Sequence, residues 1–194
     1  MSSSQPVFFA SAFEALYIRA LGDQLTPKLK DELRKVGLDV AKPLQPAYPF
    51  EVWYQSLLLT ATTLHPGVSR EEAVERIGVT FLEGFQRTLI GAAVLQFARV
   101  IGVERSLVRM DRNTRTSSNV FVSKVERVGP RHMKLSSQLD PEFLGKFPPG
   151  EVALAHFQTG LVRALFKTLD AGVPVIQTTM LDATRRHSEL DVQW

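Results

Sequence analysis

The chain has 194 residues, a formal net charge of +3, 44% apolar and 22% charged side chains, and no cysteine. That length and balance describe a globular domain large enough to fold without staples, and they exclude a disordered chain. The missing cysteine excludes disulfide frameworks, thiol nucleophiles, cysteine zinc sites, thiolate-held iron–sulfur clusters and S-acylation.

Met1 to Gln5 carries no charge, and Val7-Phe8-Phe9-Ala10 is too short for the apolar centre of a signal peptide. The first six residues are expected to fray. Phe13, Leu16, Tyr17 and Ala20 fall at helical spacing, with Gly22 as a stop. Thr26-Pro27 reads as an N-cap and first helical residue. The helix it opens would bury Leu29, Leu33 and Val36 and end at Gly37. The stretch from Leu38 to Pro49 holds three prolines and reads as an extended connector. A helix then runs from about Phe50 to Leu64, where His65-Pro66-Gly67 ends it.

Ser69-Arg70-Glu71-Glu72 has capping-box spacing, with Glu72 expected to reach back. The helix it opens carries Val74, Ile77, Phe81, Phe85 and Thr88 on one face, thickened by Leu82 and Leu89. Gly84 and Gly91 fall one heptad apart, leaving a shallow stripe for a close neighbour or space for a ligand. Gly91 to Ile101 is a second apolar helical stretch, or a continuation past a kink, that Gly102 would terminate. The longest apolar run, Leu89 to Leu95, falls far short of the roughly 20 residues of a membrane helix. No membrane insertion is expected, and the chain reads as cytoplasmic.

Residues 119–128 are β-rich, Gly129-Pro130 is a turn, and Met133, Leu135, Ser137 and Leu139 alternate. Leu144 to Gly150 is a loop. Glu151 to Asp170 reads as a helix with Gly172 beyond its end. Val173, Val175 and Gln177 begin a strand, and Leu190, Val192 and Trp194 share one face of a last one. Helices followed by strand–strand–helix–strand–strand indicate an α+β domain. A helical half (1–102) would pack with a half (103–194) built on one four-stranded antiparallel sheet, as a single domain over 1–194.

The segments Ile77-Gly78, Phe81-Leu82-Glu83-Gly84-Phe85 and Leu89-Ile90-Gly91 stand in this chain with Arg109, Arg112-Asn113, Gly129-Pro130-Arg131 and the terminal Val192-Gln193-Trp194. With this layout they resemble a superfamily that groups haem-nitric-oxide-binding domains, vinyl-4-reductase ligand-sensing domains and TRAPP trafficking subunits. Within it the chain looks most like a myxobacterial family of uncharacterised proteins. The resemblance implies a helical layer on a four-stranded sheet, an apolar pocket between them, a homodimer, and a place in bacterial signalling. Haem-binding members carry Tyr-x-Ser-x-Arg for the propionates. The nearest string here, Tyr54-Gln55-Ser56-Leu57-Leu58, puts Leu58 where the arginine belongs.

On that basis the expected pocket residues are Phe81, Phe85, Leu89, Phe97, His156, Phe157 and Leu161. Each also has a plain reading as core, Phe166 with them, and His156 as a hydrogen-bonded boundary residue. Between Arg99 and Lys134 nine basic residues face three acidic ones, so that stretch carries +6 and the remainder −3. Arg105, Arg109, Arg112 and Arg115 are spaced to share a helix face and could meet an acidic protein partner. Nucleic acid is disfavoured, because no aromatics interleave them. The histidines His65, His132, His156 and His187 show no metal-ligand spacing, and no Walker, GxSxG or GxGxxG motif occurs. The expectation is therefore a non-catalytic module without metal or cofactor, sensing an apolar ligand. The alternative is an interaction scaffold on the arginines, with a haem sensor or an enzyme behind both.

Overall fold

The structure, a computed structural model, describes residues 5–110, 115–148 and 153–194. Its first element is a strand that the sequence does not announce; of the six residues expected to fray, 1–4 lie outside the described residues. β1 (Val7–Phe9) pairs antiparallel with β2 (Ala47–Pro49), which closes the proline-rich connector. Three-residue strands are too short to show a period of two. Asn119 holds β1 in place: its Oδ1 accepts from the Val7 N–H at 2.8 Å, and its Nδ2 donates to the Gln5 carbonyl at 2.9 Å. The first helix, α1 (Ala10–Phe13), continues as a π-helical stretch, Glu14–Ala20.

The helix α2 (Pro27–Lys35) starts as expected, with Thr26 accepting from the Leu29 N–H. It is followed by α3 (Phe50–Leu64) and α4 (Arg70–Phe85). Ser69 caps α4 by accepting from the Glu72 N–H at 3.2 Å. Glu72 does not reach back; its carboxylate pairs with Arg76 one turn on, at 2.6 Å. The apolar face of α4 stops at Phe85. Thr88, expected on that face, instead caps α5 (Leu89–Val108) by accepting from the Gly91 N–H at 3.0 Å. Gly84 and Gly91 therefore sit on different helices and form no common stripe. A side chain at Gly84 would strike the Ala15 carbonyl, and one at Gly91 would strike that of Phe85. Gly102 breaks α5 as expected, at φ +79°, but helical turns resume beyond it.

The sheet is formed by β3 (Phe121–Gly129), β4 (His132–Leu139), β5 (Val175–Asp182) and β6 (His187–Gln193), in the order β3-β4-β6-β5, antiparallel throughout. One helix, α6 (Ala153–Thr168), lies between the hairpins in sequence and over the sheet in space. Val162 and Phe166 of α6 pack in one apolar cluster with Met133, Leu135, Leu190 and Val192. Trp194 lies one residue beyond β6, and its ring meets the Phe166 ring edge-on at 5.3 Å. A second cluster fills the helical half around Phe13, Leu16, Tyr17 and Trp53. The helices α4 and α6 cross at Gly78 and Gly160, where their backbones touch. Arg163 and Glu75 close the crossing with an ion pair at 2.6 Å.

The outer face of the two central strands, β4 and β6, is polar. His132 Nε2 donates to Asp191 at 2.9 Å, and Lys134 pairs with Glu189 at 2.9 Å. Burial pushes the Asp191 carboxyl up. Hydrogen bonds from His132 and Gln193 and the charges of His132 and Lys134 outweigh it, and the pKa lies below the usual 3.8. A lowered carboxylate stabilises the fold above its unfolded pKa, and that contribution disappears as pH falls through the folded value. Asp191→Asn is therefore expected to lower the melting temperature above pH 3.8, with the gap to wild type closing in acid. Thermal scans across that range check it.

Candidate ligand cavity

Strand alternation sends every second side chain of the sheet toward α6. The inner face forms rows across the strands. Met133, Val192 and Ile176 make one row, and Val125, Leu135, Leu190 and Thr178 the next. The following row is Ser123, Ser137 and Ser188, with Met180 at its end. Above this last row α6 and α5 do not close on the sheet, and a cavity of about 280 Å³ remains.

Its wall is largely apolar. Phe81 and Phe85 come from α4, Phe97 and Ala98 from α5, and Phe157 and Leu161 from α6. Phe8 and Trp53 reach it from the helical half. Five of the seven expected pocket residues are thus on the wall: Phe81, Phe85, Phe97, Phe157 and Leu161. Leu89 and His156 are not. Leu89 is the first residue of α5 and is 90% exposed, because the chain turns at the Thr88 cap instead of prolonging the α4 face. His156 points about 100° round α6 from Phe157. It stands near Glu71, whose carboxyl is held low chiefly by its own backbone N–H and the Ser69 hydroxyl, with a smaller push from His156. Phe166 is likewise off the wall, against Trp194.

The four arginines do not form one face. Arg105 is exposed on the turns after Gly102, and α5 ends at Val108. Arg109 lies beyond that end, its guanidinium 4.9 Å from the centre of the Phe97 ring, at the cavity wall. Arg115 is exposed, and Arg112 lies outside the described residues.

Arg186 is a wall residue that the sequence analysis missed. It is only 8% exposed, and its guanidinium lies 5.1 Å from the ring centres of Phe50 and Tyr54 and donates to the Pro148 carbonyl at 3.4 Å. An arginine in a turn between strands looks solvated in sequence. Its burial depends on aromatics more than 30 residues away, so no local signal could find it.

The serines on the wall fall into two kinds. Ser106 donates to the Gly102 carbonyl at 2.7 Å, and Ser118 accepts from the Val120 N–H at 2.9 Å. The hydroxyls of Ser117, Ser123, Ser137 and Ser188 have no hydrogen-bond partner among the described residues, and the last three share one row of the sheet. Among those residues, too, no group of three or more His, Asp and Glu could hold a metal ion, and no helix is long and apolar enough to cross a membrane.

The family described as "protein of unknown function (DUF2378)" matches residues 7–194. The chain belongs to the DUF2378 family. No curated protein matches it. Among solved structures, this DUF2378 chain resembles H-NOX proteins. An unliganded Fe(II) H-NOX mutant from K. algicida has a TM-score of 0.66 at 14% identity, with 95% of each chain covered. An H-NOX protein from S. oneidensis in the Fe(II)NO state gives 0.64 at 11% identity, covering 95% of this chain and 98% of that one. An oxygen-binding H-NOX domain related to soluble guanylate cyclases gives 0.57 at 13% identity, covering 94% and 89%. At such identities the likeness is one of fold: helices packed with an antiparallel sheet.

Haem chemistry needs a side chain on the iron and cations at the propionates. Among its described residues, the DUF2378 cavity wall has no histidine, cysteine or tyrosine, and its methionines Met110 and Met180 lack the histidine that accompanies a methionine ligand on haem iron. His156 points elsewhere. The Tyr54–Leu58 string lies within α3, where Leu57 is buried and the Ser56 hydroxyl donates to the Trp53 carbonyl. The residues present do not fit haem.

Proposed function

We propose that this chain is a non-catalytic ligand-sensing module of a signalling system, and that it takes a small apolar molecule into the cavity among α4, α5, α6 and the sheet. The cavity itself carries this reading. Protein interiors are packed to crystal density and keep few voids larger than a water molecule. An apolar void of about 150 Å³ already binds benzene, and small-molecule sites begin near 300 Å³. A volume of about 280 Å³ walled by aromatic and aliphatic side chains is large enough for one small ligand. The fold shared with an oxygen-binding H-NOX domain supports a sensing role. The absence of hydrolase and nucleotide motifs supports a role without catalysis.

The test is titration with uncharged N-phenyl-naphthylamine, which fluoresces in apolar sites. The wild-type chain is expected to saturate at one probe per molecule. Ala98→Phe directs a ring from α5 into the cavity and is expected to weaken binding at least about tenfold, the loss of roughly 1.4 kcal/mol. Val94→Phe serves as a second filler should the first disturb α5. Equal probe binding by wild type and two folded fillers would remove the proposal.

A further inference from the structure

We infer that the ligand is a small apolar carboxylic acid whose carboxylate seats on the serine row Ser123–Ser137–Ser188. The inference rests on the reading that the cavity takes a ligand, and it names the ligand's polar end.

Three observations converge. The first is the position of the row. Ser123 faces Ser137, and Ser137 faces Ser188, across three neighbouring strands. Adjacent inner rows are apolar apart from Thr178, whose hydroxyl meets that of Thr159 at 2.8 Å. On the inner face of the sheet, serine is thus confined to the row under the cavity.

The second is accessibility. Ser137 and Ser188 are each 5% exposed as residues. Their hydroxyls and that of Ser123 make no hydrogen bond to the described residues, yet none of the three oxygens is sealed off, so they stand open to the cavity they line. On three neighbouring strands they form a line of donors along one face of the sheet. A carboxylate has two oxygens and about four acceptor positions, enough to take hydrogen bonds from neighbouring serines of the row.

The third is charge. The described wall residues include two arginines, Arg109 and Arg186, and no aspartate or glutamate. Arg186 stands two residues before Ser188, at the same end of β6. Arg109 is exposed at the rim and Arg186 is buried, and positive groups with no acidic side chain among the described wall residues favour an anion over a neutral or cationic head. Hydrogen bonds to an ionised acceptor are also about twice as strong as neutral ones.

Calorimetric titration with naphthoate, naphthylmethanol and naphthalene separates head from body. The wild-type chain is expected to bind all three, naphthoate most tightly by about tenfold or more. The double variant Ser137→Ala/Ser188→Ala keeps the volume of the site. It is expected to bind naphthalene as wild type does and to lose that advantage for naphthoate. Equal affinity of wild type for naphthoate and naphthalene, or undiminished naphthoate binding by the double variant, would overturn the carboxylate assignment and leave the apolar cavity reading standing. Failure of all three to bind would overturn the cavity reading, and the head-group assignment with it.

Discussion

Replacing Gly160 with alanine is expected to destabilise the protein by about 3 kcal/mol, although alanine is the better helix former by about 1 kcal/mol. The added methyl would strike the Glu75 carbonyl and lie 3.0 Å from the Gly78 Cα. Both obstacles are backbone of α4, so no side-chain rotation relieves them. The helices must part, and their separation loosens Phe81 and Phe157 together with the Arg163–Glu75 pair. For a chain of this size the melting temperature should fall by roughly 6–12 °C. Gly78→Ala meets the Phe157 carbonyl and lies 3.1 Å from the Gly160 Cα, and it should behave alike. The double variant should cost less than the sum, because one separation accommodates both methyls. Either single variant melting at or above wild type would show that the crossing is not close-packed.

The second large effect belongs to Trp53. It is 1% exposed, stacked on Phe8 at 4.8 Å and met edge-on by Phe13 at 5.3 Å and Phe157 at 5.8 Å. Trp53→Ala is expected to cost about 3–5 kcal/mol, a large share of the roughly 5–15 kcal/mol that holds a domain folded. Trp53 also lines the cavity, so its loss should enlarge the space rather than leave a separate hole. An uncharged apolar probe larger than naphthalene should then stabilise the variant more than wild type. Saturation at a hundredfold excess over Kd can restore up to about 2.7 kcal/mol. Thermal scans with and without probe measure both effects. A variant that loses stability but gains nothing from the larger probe would separate Trp53 from the site.

What could be read in the sequence was local. Thr26-Pro27 and Ser69 announce helix starts through side-chain oxygens that take the first free N–H groups, and both do so in the structure. Gly129-Pro130 and the alternation from Met133 to Leu139 and from Leu190 to Trp194 announce strands, because a sheet with one buried face repeats every two residues. The fold class followed from that order of elements. Leu89 was misplaced because apolar spacing continued past Phe85, while the decisive signal was Thr88 acting as a cap. β1 and β2 escaped because their pairing is made by partners 40 residues apart.

The site was half legible for the same reason. Phe81, Phe85, Phe157 and Leu161 lie on faces that helical periodicity predicts, and the wall uses those faces. Periodicity alone could not tell which flank of α6 meets the cavity, so His156 was placed on the wrong side. The serine row comes from strands separated by 14 and 51 residues, and it exists only once β3, β4 and β6 are in register. Arg186 depends likewise on aromatics brought from α3 and from Phe147.

The most direct test is a crystal structure of the wild-type chain soaked in bromobenzene, read by the anomalous signal of the bromine. One site is expected among Phe97 of α5, Phe157 of α6 and the sheet above Ser137. A core closed by side chains at that place, or bromine found only on the outer surface, would contradict a module built to hold a small molecule.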